Sequence, residues 1–306
     1  MRVRFAIRGI LALCALAAIG LATRPTAAGA TSSARDDDYN GDGRADLAVF
    51  RPANGTWYVN GLSATVWGVA TDVPVPGDYN GDGKTDVAVF RGSNRTWYVK
   101  GVSTSVWGIA TDIPVAEDYD GDGKTDIAVF RPSNGTWYIK GQSAAQFGKS
   151  GDTPSPGDYD GDGDAERAVF RPATGTWYIA GSPTVQFGKP GDIPVPGDYN
   201  DDGRTDVAVY RPSTGTWYVR GISTVAYGIS GDVPMPGDYD GDGDTDVAVF
   251  RPSNGTWYVK NISTTTWGLH TDTPLPPPVR LPEVHHCGAL PPGTTVWQGS
   301  VHVLDC

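Results

Sequence analysis

Asp38, Asn40, Asp42 and Asp46 set side-chain oxygens at positions 1, 3, 5 and 9 of one nonapeptide, and the pattern recurs every 40 residues. The second copy supplies Asp78, Asn80, Asp82 and Asp86, and the third Asp118, Asp120, Asp122 and Asp126. The fourth has Asp158, Asp160, Asp162 and Glu166, the fifth Asp198, Asn200, Asp202 and Asp206, and the sixth Asp238, Asp240, Asp242 and Asp246. Alternate residues of this kind converge hard oxygens on one point while the backbone wraps. Position 7 would add its backbone carbonyl: Arg44, Lys84, Lys124, Asp164, Arg204 and Asp244. Position 6 is glycine, as in Gly43, where a sharp turn needs positive φ.

An all-oxygen set suits Ca2+, which takes about six to eight oxygen ligands in flexible geometry. Nitrogen and sulfur donors are absent, which disfavours zinc and copper. Mg2+ keeps its waters and wants a rigid octahedron. Up to six Ca2+ are therefore expected. The other reading of the same residues is a solvated acidic turn, since Asp-Gly and Asn-Gly are ordinary turn formers. Six copies with all four positions filled favour the ion. Two copies depart: Glu166 reaches further than aspartate, and Asp201 stands where the other loops have a position-4 glycine. The loop is not an EF-hand, because position 12 is Val49 rather than glutamate and an apolar strand run follows instead of a helix.

Elements that could carry such loops follow from the repeat. Residues 38–77, 78–117, 118–157, 158–197, 198–237 and 238–277 are six units of 40 without insertion or deletion. Glycine and proline punctuate every few residues, and no 3.6 periodicity persists. Each unit instead predicts four short strands, in the first unit Leu47–Phe50, Thr56–Val59, Leu62–Trp67 and Val73–Pro76. Four strands in about 40 residues is the scale of one propeller blade. An all-β propeller of six blades is expected. Aromatic residues fall in columns beginning at Tyr39, Phe50, Trp57, Tyr58 and Trp67. Trp57 and Tyr58, adjacent on a strand, face opposite sides of a sheet sandwiched between two others. The Arg51 and Asp72 columns recur in every unit and predict a repeated structural ion pair.

The first acidic loop lacks the preceding "DVPVPG" segment, whereas the last unit ends with a comparable segment and no loop after it. The end of the chain is thus expected to complete the first blade and remove both sheet edges. A degenerate seventh blade is the alternative, because "TTVWQG" (294–299) resembles "ATVWG" (64–68).

Residues 1–30 read as a secretory signal on a general route: Arg2, Arg4 and Arg8, an apolar Ile10–Leu21, then Ala28-Gly29-Ala30. An extracellular protein is the expectation. The signal carries four arginines and no acids, so the net charge of -11 becomes -15 after cleavage. That surface should repel nucleic acid and anionic lipid. The Pro-rich tail, 278–306, holds Cys287 and Cys306, which most simply pair in an oxidising compartment.

The acidic loop and its surroundings resemble FG-GAP repeats, also known as VCBS-type repeats, the units of the integrin α-chain propeller. Phe147-Gly148 leads to Gly157-Asp158-Tyr159-Asp160-Gly161-Asp162-Gly163, and "AVFRP" (168–172) stands where that family often has Gly-Ala-Pro. The resemblance covers 38–277 and implies a calcium-bearing propeller of the kind found in secreted adhesion or carbohydrate-associated proteins. The 40-residue unit is shorter than the integrin one, and six copies are visible rather than seven, so integrin-like ligand recognition does not carry over.

Three functions compete. A non-catalytic binding or adhesion module for extracellular glycan or protein would use six copies of one surface multivalently. A carbohydrate-active enzyme needs an asymmetric constellation, yet the repeats are near-identical and contain no histidine before His270. A purely structural scaffold is the third. The aromatic columns could stack on sugar rings, although packing between blades is the commoner use of such spacing.

Overall fold

The computed structural model describes residues 37–276, 296–298 and 301–303. Residues 1–30, expected to be a secretory signal, and Cys287 and Cys306, expected to pair, lie outside these residues. The described chain is all-β, with six four-stranded antiparallel sheets and one separate two-stranded hairpin. In the second blade the order from the axis outward is Val73–Pro74, Ala88–Arg91, Thr96–Val99 and Ser103–Val106. In blades two to six the innermost strand therefore precedes its blade's acidic loop in sequence. Antiparallel neighbours alternate direction. The acidic loops thus lie on one face of the ring. The Arg51–Gly55 type turns and the 67–72 type links lie on the other.

The first blade takes its innermost strand from the end of the sixth unit: Thr273–Leu275 pairs with Ala48–Phe50. The ring has six blades. The segment considered for a seventh forms a hairpin instead, Val296–Gln298 with Val301–Val303. Strand limits differ slightly from expectation. The first strand is Ala48–Arg51, and the third is Thr65–Val66, preceded by a turn in which the Leu62 N–H reaches the Val59 carbonyl. The innermost strand stops at Pro74. An innermost strand has a free edge towards the axis, which tolerates a residue lacking a donor.

The cores lie between blades. Phe50 and Trp57 pack with Val89 of the next blade, Phe90 and Trp97 with Val129, and Phe250 and Trp257 with Val49, which closes the ring. All six column tryptophans, from Trp57 to Trp257, are at most 1% exposed. Each buries on the order of 200 Å2, a gross contribution of roughly 5 kcal/mol. Their indole N–H groups are satisfied within the blade, as in Trp57 to the Trp67 carbonyl at 2.8 Å. This column is structural and offers no face to a sugar.

The expected ion pair is present in every blade. Asp152 accepts Arg171 Nε at 2.7 Å and Nη2 at 2.8 Å, and the guanidinium stacks 4.2 Å over the Tyr178 ring. Arg51 pairs with Asp272, 221 residues away, and so fastens the chain's end to its first blade. The aspartate side chains are at most 1% exposed. Asp152→Ala should cost about 3 kcal/mol or more, because it leaves a part-buried guanidinium without its counter-charge. Urea denaturation followed by tryptophan fluorescence measures this; a loss below about 1 kcal/mol would mean that the pair behaves as an exposed one.

Candidate metal centres in the acidic loops

The loop residues converge as their spacing demands. Asp38 Oδ1 accepts the N–H groups of Gly41 (2.6 Å) and Asp42 (3.2 Å), and Oδ2 accepts that of Gly43 (2.8 Å). Asp78, Asp118 and Asp158 repeat all three contacts. Asp198 and Asp238 each keep two of them. The position-1 carboxylate thereby fixes the curvature of the loop. Position-6 glycines adopt positive φ, +84° at Gly43. Asp201, the position-4 departure, also takes a left-handed φ of 54°, which aspartate tolerates.

The position-9 carboxylate closes the loop by accepting the position-2 N–H, as Asp46 does from Tyr39 at 2.9 Å. Glu166 does the same from Tyr159 at 2.7 Å, so its longer side chain fills the aspartate's place. The loops are also linked to one another. Thr85 N–H donates to the Asp38 carbonyl, Thr125 to Asp78, Ala165 to Asp118, Thr205 to Asp158, Thr245 to Asp198, and Ala45 to Asp238, a complete circuit of the ring.

Carboxylate oxygens lie within 4.8 Å of one another in Asp118, Asp120 and Asp122; in Asp158, Asp160 and Glu166; in Asp162, Asp164 and Glu166; and in Asp238, Asp240 and Asp246. The first and second loops carry Asn40 and Asn80 at position 3, whose amide nitrogens donate to Asp46 and Asp86. In the fifth, Asn200 Oδ1 accepts the Asp202 N–H. The position-7 residue donates its own N–H to the position-5 carboxylate, as Arg44 does to Asp42.

The electrostatics fit a cation. Burial, and then the neighbouring loop carboxylates, push Asp126 and Asp246 up to about 6 and Glu166 up to about 7, against the opposing effect of the position-2 N–H. Burial likewise raises Asp46, Asp86 and Asp206. In the fourth loop the hydrogen bond shared with Asp162 raises Asp164 to about 6 and lowers Asp162. An oxygen-only donor set that resists ionisation for want of counter-charge is what a hard divalent cation would relieve.

A carboxylate whose native pKa exceeds its unfolded value binds more protons folded than unfolded. Its stabilising contribution is present below about pH 4 and is lost as pH rises through about 6–7. Chelator-treated protein should therefore lose thermal stability between pH 5 and pH 7.5, and Ca2+ should reduce or reverse that slope. Scanning calorimetry across this range tests it. A midpoint in chelator that rises over the same window would contradict it.

Fold and loops together define a class of protein: an all-β, six-bladed propeller with one acidic loop per blade. Residues 38–89 match the FG-GAP-like repeat and residues 110–146 the FG-GAP repeat. No curated protein matches. Among solved structures the chain is similar to BBS1N in complex with ARL6DN soaked with mercury, at 14% identity and TM-score 0.46, over 74% of this chain and 77% of that one. The lead-soaked form gives 13%, 0.47, 76% and 80%. An Agrocybe aegerita lectin, described as recognising non-reducing terminal N-acetylglucosamine, gives 16% identity and TM-score 0.45 over 77% and 76%. Among the described residues, no helix is long and apolar enough to cross a membrane.

Proposed function

We propose that this protein is an exported, calcium-stabilised propeller that acts as a non-catalytic binding or adhesion module for extracellular glycan or protein. The observation that carries the reading is the circuit of six acidic loops on one face, hydrogen-bonded blade to blade around the ring. Cations in those loops would hold the seams between blades, and six Ca2+, at two charges each, would set 12 positive charges against the 21 loop carboxylates among the chain's 35 acidic residues. The loop carboxylates are engaged by their own loops' N–H groups, which supports a structural rather than catalytic use of them. Near-identical blades present the same surface repeatedly, so weak contacts add through effective concentration.

The test is a screen of calcium-loaded full-length protein on glycan and matrix-protein arrays, repeated after chelation. Calcium-dependent, saturable binding with no turnover of the bound partner is expected. Hydrolysis of an arrayed glycan, or binding indifferent to calcium, would contradict the reading.

A further inference from the structure

Charge is divided between the two faces of the ring. On the face opposite the acidic loops each blade contributes a turn of the 52–55 type and a link of the 67–71 type. None of these segments contains an aspartate or glutamate in any blade. Three cationic residues stand among them, Arg95, Lys149 and Lys189, and all three are exposed. The repeated ion pair also turns its positive member outward: the arginine side chains are 17–26% exposed and their aspartates at most 1%. The net charge of -11 therefore conceals one face without a free carboxylate.

The same face holds aliphatic side chains that the fold does not require. Val69 is 45% exposed, Ile109 37%, Ile229 53% and Leu269 48%. Their column reads Lys149 and Lys189 in the third and fourth blades, so the link folds equally well around a charged residue. The four aliphatic positions are contiguous around the ring, on the fifth, sixth, first and second blades, and the cations occupy the second, third and fourth. No unit carries an insertion, so links of equal length end at one level and the face is flat.

We propose that this face lies on an anionic lipid bilayer. Arg95, Lys149 and Lys189 meet the headgroups, and the aliphatic arc enters the boundary between headgroups and acyl chains. A cation near such a surface is worth roughly fivefold in partitioning, and burial of a half-exposed aliphatic side chain adds a factor of about the same size. Charge complementarity and an apolar arc on one flat face match a bilayer, which presents both chemistries in a plane. The acidic loops scarcely oppose the contact. Asp46 and Asn54 are eight residues apart on one strand and its flanks, a separation of about 25 Å, or roughly three Debye lengths at physiological salt. Repulsion of anionic lipid, expected from the net charge, thus belongs to the other face. The assignment uses no calcium loop and goes beyond the reading of the protein as a glycan or protein binder.

Vesicle co-sedimentation tests it, with calcium-loaded protein of residues 31–306, which retain every strand of the ring. Residues 1–30 are left out because their arginines and apolar run would bind vesicles on their own account. Vesicles of equal phosphatidylglycerol and phosphatidylcholine should retain the protein at least about tenfold more tightly than phosphatidylcholine alone, and added salt should weaken the binding. Lys149→Gln with Lys189→Gln should lower the partition coefficient by roughly tenfold or more and flatten the salt dependence. Ile229→Ser with Leu269→Ser should lower it about tenfold with the salt dependence kept. Neither pair should shift the melting temperature, since all four side chains are exposed. Equal retention by the two kinds of vesicle, or binding unchanged in both double variants, would overturn the assignment. So would binding that both variants keep and chelator abolishes, which would place the contact at the acidic loops through bridging calcium. Failure to sediment with either vesicle, together with a dimer that the Ile229→Ser, Leu269→Ser pair dissolves, would overturn it in favour of a second copy of the chain.

Discussion

A chain ending at Asp272 is expected to lose cooperative folding. Thr273–Leu275 is the innermost strand of the first blade, with Leu275 opposite Ala48 and Thr273 opposite Phe50. Leu275 is 1% exposed, and Ala48, Val49 and Phe50 are fully buried. Deleting the strand removes one buried leucine, worth about 2–5 kcal/mol, and its ladder hydrogen bonds at about 1 kcal/mol each. The total of roughly 5 kcal/mol or more is comparable to the stability of a whole domain. It also exposes a flat apolar edge, which promotes aggregation. Moving residues 269–276 to precede Asp37 supplies the same strand from the other end of the chain and should restore folding. A truncated chain that denatures like the full one would show that the first and sixth blades do not depend on this closure.

The second large effect is calcium removal. At a Kd of ~10⁻⁴ M and ~1 mM Ca2+, each loop would contribute roughly 1.4 kcal/mol, and six loops about 8 kcal/mol. For a ring of this size that corresponds to a fall of roughly 15–30 °C in the melting temperature on chelation. The Asp38 carboxylate and its counterparts also hold the loop's curvature by accepting its own N–H groups. The loss therefore comes from unrelieved repulsion among the carboxylates and from loosened seams, and the ring should melt as a unit. Adding Ca2+ back should restore the midpoint; Mg2+ at equal concentration should restore less of it.

Much of this was legible in the residues. The 40-residue period gives the blade, the truncated first unit gives the closure, and the Arg51 and Asp72 columns give the ion pair, because each depends on spacing that repeats six times. Contacts between units were not legible. Trp67 Nε1 reaches the Tyr98 carbonyl of the next blade, and Trp267 reaches that of Tyr58. These need the ring's three-dimensional order. Arg95 was a visible departure with an invisible consequence. It occupies a left-handed position, φ 61°, held by glycine in the other blades, and the facing Gly108 has φ 88° where its counterparts have 121–132°. Glu117 and Ser155 were likewise readable as breaks in their columns. Only the fold shows that Glu117 borders the axial cavities, whereas Val75 and Met235 of the Ser155 column belong to the between-blade cores. The blade seams were obscured for the same reason: a Cβ at Gly77 would meet Thr125, 48 residues later, at 2.7 Å.

Stoichiometric titration of chelator-stripped protein with CaCl2 reaches the central claim most directly. The account predicts close to six ions per chain and a melting temperature that climbs as they are taken up. It also predicts the loss of one ion, not several, in Asp118→Asn with Asp122→Asn. No calcium uptake, or a stripped protein that melts where the loaded one does, would contradict it.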